Sequence, residues 1–157
     1  MTMACDEEGG FGYRSLPAAM YAALGEMVDD GFVRAAEMRR MAIPTVARSR
    51  ADFMAPFAAT GHFAGLAVEE LDVFRDEDRF WTEFERNRDA HAFAAGWAAF
   101  AGASVAPSLA SARDGGHDDL RAAAFAGRME SGTGRRMAAV PKRRVIALAR
   151  MRLVKGG

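Results

Sequence analysis

Cysteine is nearly missing from this chain. Cys5 is the only one among 157 residues, so an internal disulfide and a cysteine-based zinc site are both excluded. No stretch of about 18 consecutive apolar residues occurs, which rules out a membrane-spanning helix. The opening residues "MTMACDEEGG" are acidic and carry neither the basic nor the apolar region of a secretion signal. A cytoplasmic location is the expectation. A glycine-rich phosphate loop is also missing, because "GGFG" at residues 9–12 lacks the spacing of the nucleotide fingerprints and reads as a turn. The histidines His62, His91 and His117 are scattered, and none belongs to a metal-binding helix motif. Asp89 and His91 stand two residues apart and do not share a helix face. Ser108 and Ser111 lack the strand–turn–helix setting of an activated nucleophile. "RDEDR" at 75–79 stacks acids in what reads as a solvated turn. No convincing catalytic set emerges.

What is present suits one globular domain over residues 1–157. Half of the residues are hydrophobic and 27% are charged, enough to build one core and too short for two ordinary ones. The zero net charge hides an asymmetry. Residues 1–112 hold 10 Arg against 17 acids, net −7, and residues 113–157 hold 9 Arg and 2 Lys against 4 acids, net +7. The basic segment has no aromatic interleaving beyond Phe125 and no recognisable nucleic-acid motif, so mutual neutralisation within the fold is expected and a nucleic-acid partner is not.

Along the chain, "MTMAC" reads as a stub strand. Ser15 is a candidate cap, and Pro17 sits in a first helical turn where its missing N–H costs nothing. Leu16, Met20, Ala23, Leu24, Met27 and Val28 then recur at helical spacing until "DDG" at 29–31. "FVRAAEMRRM" predicts a second short helix, ended by Ile43-Pro44, where proline drives the preceding residue to extended geometry. Ser49 with Asp52 predicts a capping box, and Pro56 predicts a short or kinked element. Residues 65–74, "GLAVEELDVF", alternate imperfectly and favour a strand. The following segment predicts one or two helices anchored by Phe80, Phe84, Phe93, Trp97 and Phe100 and stopped by Pro107. A helix over about 118–139 is weakened by "SGTG", and 144–155 reads as a half-buried strand with Ala149, Met151 and Leu153 on one face.

This order of elements resembles the SABATH-type SAM-dependent carboxyl methyltransferases, the salicylic acid and theobromine synthase group, in their C-terminal region. Ala23, Leu24, Met27, Val28 and Gly31 match the family's "AL..MV..G" helix. Ile43 and Pro44 match the break in its "F-N-I-P-x-Y-x-P-S-x-x-E" segment, and Ser49 matches the cap. Gly61 and Phe63 match the approach to the "G-x-F-x-I-x-x-L-E" strand, and "RVIALARMRLVK" is similar to the last strand. The resemblance implies an α/β fold: part of a Rossmann-like methyltransferase, mostly helical cap, with two late antiparallel strands at about 65–74 and 144–155. It implies a small carboxylate-bearing substrate and S-adenosylmethionine as cofactor. The family's N-terminal cofactor-binding motifs have no counterpart in this sequence, so an isolated chain is expected to be inactive, with a separate N-terminal half or a homodimer as candidate partners and a gene fragment as the implied origin.

The resemblance also suggests substrate contacts. The family's pocket-lining tyrosine two residues after the proline corresponds to Val46, which loses an aromatic wall or hydroxyl contact. Phe93 and Trp97 share a helix face with Phe100 and suit either core packing or the wall of an apolar pocket. The positions where some members hold magnesium correspond to Arg39 and Ala42, which offer no oxygen side-chain ligand of that kind, so no metal is expected. The alternative reading is a non-enzymatic α+β module that binds a partner protein or a small apolar ligand.

Overall fold

The computed structural model describes residues 14–43, 48–116 and 121–155. The stub strand at "MTMAC" and the Pro44 break lie outside them. Among the described residues the chain is mixed α+β, and its elements fall into two compact units. The helical unit comprises α1 (Ser15–Asp29), α2 (Ala35–Arg40), α4 (Arg79–Asn87), α5 (Ala90–Ser104), α6 (Ala106–Ser111) and α7 (Ala122–Ala139). The sheet unit comprises α3 (Arg50–Met54), a 3-10 turn (Ala55–Phe57), and strands β1 (His62–Phe63), β2 (Leu66–Asp76) and β3 (Ile146–Lys155).

In the helical unit, α1 buries Leu16, Met20, Ala23, Leu24 and Met27, the apolar stripe that the spacing predicted. Ser15 is its first helical residue and not its cap; the N-cap is Arg14, which makes no side-chain capping bond. Gly31, at φ +75, turns the chain out of the helix, and its N–H donates to the Val28 carbonyl at 3.1 Å. Glycine carries no Cβ penalty at that dihedral.

The short α2 is held by a fully buried acid. Glu37 accepts from the N–H of its own N-cap Arg34 at 2.8 Å and from the N–H of Asp114 at 3.0 Å. Arg34 and Arg40 both pair with the Asp114 carboxylate, and Arg40 Nε donates to the Ala112 carbonyl at 3.2 Å. A buried carboxylate is tolerated when backbone donors and a nearby cation meet it.

The long aromatic segment forms two helices. Asp89 caps α5 by accepting from the N–H groups of His91 and Ala92, each at 2.9 Å. Pro107 opens α6 within its first two positions, so it starts a helix as well as stopping one, as a first-turn proline can. The "SGTG" stretch does not break α7. Gly132 is there because a Cβ would stand 2.8 Å from the Ala23 Cβ of α1, and close helix approach offsets the propensity cost of about 1 kcal/mol.

In the sheet unit, Ser49 caps α3 as a full box. Its Oγ accepts from the Asp52 N–H at 3.2 Å, and Asp52 accepts from the Ser49 N–H at 2.8 Å. α3 ends at Met54 and gives way to the 3-10 turn containing Pro56. The sheet order is β1-β2-β3, antiparallel throughout. The two strands read from the sequence both form and pair with each other, and β2 runs on through Arg75 and Asp76 into the acidic stretch read as a turn. β1 is an additional strand. It is joined to β2 by Ala64 and Gly65, both at positive φ (51° and 75°), the backbone of a two-residue hairpin turn matched to strand twist.

The imperfect alternation of β2 has a structural cause. The register passes from Val68↔Leu153 to Glu70↔Arg152, leaving Glu69 as the extra residue of a bulge. Val68 therefore shares a face with Leu71 and Val73, opposite Leu153, Met151 and Ala149. The other face carries Glu70 and Asp72 opposite Arg152 and Arg150, with Asp72–Arg150 at 3.2 Å and Glu69–Arg152 at 2.8 Å.

Candidate functional site

α4 and α5 meet through rings. Phe93 and Trp97 on α5 are 3% and 2% exposed. Phe93 lies 5.5 Å from Phe84 and 6.0 Å, edge-on, from Trp81; Trp97 lies 5.3 Å from Phe80 and 5.7 Å from Phe100, both edge-on. These are favourable quadrupolar arrangements. The rings of α4 are half-buried: Phe80, Trp81 and Phe84 rest one side on α5 and keep the other partly open. Gly96 makes the contact possible, since a Cβ there would stand 2.5 Å from the Phe80 ring. Arg79 and Arg88 lie over Phe80 and Phe84 at 4.9 and 5.7 Å from the ring centres, adding cation–π attraction at either end of α4.

Of the three residues nominated for substrate contact, Phe93 and Trp97 lie one turn apart on the buried face of α5, Phe93 under Trp81 and Phe84 and Trp97 against Phe80 and Phe100. Val46 lies outside the described residues. Arg39 and Ala42 are exposed, the former in the last turn of α2. Among the described residues no group of three His, Cys, Asp or Glu side chains is gathered as for a metal ion. No helix among them is long and apolar enough to cross a membrane. Of the two serines weighed as nucleophiles, Ser111 spends its hydroxyl on the backbone, its Oγ donating to the Ser108 carbonyl at 2.8 Å.

Two grooves went unforeseen. One, of about 510 Å³, lies between α1 and α7 beside Ala23, Glu26, Asp30 and Arg128; the other, of about 820 Å³, lies between α5 and α7 beside His91, Ala94, Ala98 and Ala138. They share Gly127, Ser131 and Arg135 of α7. The available signal was the three-four spacing of Ala124, Gly127, Ser131, Gly134 and Ala138, small residues on one face of a helix. Ion pairs close the α1 side: Arg128–Asp30 at 2.6 Å, Arg135–Glu26 at 3.0 Å and Arg136–Glu26 at 2.5 Å. The Arg136 hydrogen bond, opposed by desolvation and helped by the Arg136 and Arg135 charges, holds the Glu26 carboxyl below its usual range.

Chemically, the aromatic cluster offers an apolar patch of edge-on and tilted rings, and the grooves offer alanine and glycine walls edged by charged side chains such as Glu26, Arg128, Glu130 and Arg135. No protein-family model matches this chain, and no curated protein does.

Proposed function

We propose that this chain forms the acceptor side of a SABATH-like, SAM-dependent small-molecule carboxyl methyltransferase, in a Rossmann-like fold whose helical cap and last strands it contributes. The observation that supports this most is the division of the chain. A ten-position antiparallel pairing of β2 with β3 goes with a predominantly helical unit drawn from the segments before β2 and between the strands. In this reading Phe93 and Trp97, buried beneath α4, set the position of the half-buried rings of Phe80, Trp81 and Phe84, and it is those outer rings that orient a small carboxylate-bearing acceptor. Orientation of bound reactants is worth on the order of 7–11 kcal/mol in reactions of this order.

The described residues do not fit the cofactor. Dinucleotide-type pockets of open α/β sheets lie beyond the carboxyl ends of parallel strands, and β1–β3 are antiparallel throughout. S-adenosylmethionine is therefore assigned to strands other than these, on a separate N-terminal half, and the isolated chain is assigned no activity.

Calorimetric titration of the purified chain tests this. S-adenosylmethionine and its demethylated product should give no saturable heat, and salicylate, as a probe acceptor, should give weak saturable heat that is reduced in Phe93→Leu. Saturable cofactor heat would overturn the assignment. Silence from both ligands favours the second reading, a non-enzymatic module that takes a partner protein or apolar ligand along the grooves flanking α7.

A further inference from the structure

We draw no further inference here: the strongest candidate, the open trough floored by Ala124, Gly127, Ser131, Gly134 and Ala138 of α7 between α1 and α5, is an unpartnered face with nothing in the structure to show what covers it.

Discussion

The helical unit and the sheet unit are held together by different means. The helical unit has a large, mostly apolar core: Phe125 is fully buried, Met129 is 1% exposed, and Leu24, Met27, Val33, Phe93, Trp97 and Met137 are buried with it, beside the buried polar side chains Glu37, Arg113 and Thr133. The sheet unit has little of this. Phe57 and Leu71 are its buried apolar side chains among the described residues, while Phe63, Leu153 and Val154 stay exposed. Its order comes from the backbone ladder, the Ser49–Asp52 box, the buried Asp78 carboxylate accepting from Arg144 N–H at 2.9 Å, and exposed ion pairs of modest worth. One unit is specified by shape, the other by hydrogen-bond register. A change of side-chain volume should hurt the first, and a change of backbone geometry should tell in the second.

The sharpest test of that contrast is truncation. Phe125→Ala should cost about 3–5 kcal/mol, and Leu71→Ala should fall near the lower end of the 2–5 kcal/mol range. Trp81 and Trp97 both belong to the helical unit, so their fluorescence in a urea titration reports Phe125→Ala directly. Leu71→Ala should instead show first in faster hydrogen exchange of the β2 and β3 amides. Equal costs for the two would erase the contrast.

The glycines of α7 refine it. Gly132→Ala forces a Cβ to within 2.8 Å of the Ala23 Cβ, and overpacking of about 1–3 kcal/mol should outweigh the gain in helix propensity. Gly127→Ala meets nothing within 4 Å and should stabilise by up to about 1 kcal/mol. Thermal melts of the two variants should move in opposite directions, and movement in the same direction would mean that close approach does not set the α1–α7 contact.

These glycines also mark where the sequence was legible and where it was not. Local chemistry could be read: the α1 stripe, the Ser49–Asp52 box, the Pro56 break and the two long strands rest on spacing and caps within a few residues. What depended on distant partners could not. "SGTG" looks like a helix breaker until Ala23 of α1 is known to sit against Gly132. Glu37 looks like a solvent-facing helix residue until the Asp114 N–H comes to it from 77 positions away. β1 is two residues long, and Ala64-Gly65 is a poor turn signal beside asparagine-glycine. Of the candidate site, the pairing of Phe93 with Trp97 was visible in helical spacing, whereas the overlay of α4 rings and the grooves beside α7 needed three dimensions.

In the sheet unit the hairpin turn supplies a backbone test. Ala64 sits at φ +51, where a Cβ is strained, so Ala64→Asn should stabilise by about 0.5–1 kcal/mol. A neutral or destabilising result in a urea titration would mean that the turn is not limiting for the ladder.

The smallest expected effect is on acid sensitivity. Asp52 is held below the usual carboxylate range, first by the Ser49 backbone N–H and then by its hydroxyl, and Glu26 is held down by Arg136. A depressed folded-state pKa adds stability that is complete above the ordinary value and is lost as pH falls through the lowered one. Asp52→Asn and Glu26→Gln should each leave neutral-pH stability slightly reduced and flatten the decline on acidification. A variant that keeps the wild-type slope through the acid range would remove that carboxylate from the account.

The pairing of β2 with β3 also sets a timetable. Asp76 pairs with Ile146 and Leu66 with Lys155, so β2 leaves the ribosome well before its partner exists. About 80 residues must still be made before β3 is complete, which at ordinary synthesis rates is on the order of 4–16 seconds. During that wait β2 has only the two residues of β1 beside it, and its remaining ladder edge is open to any passing strand. Glu69, Glu70 and Asp72 stand within that strand, so the acids that later pair with Arg150 and Arg152 put like charge along the waiting edge, which disfavours pairing between identical strands.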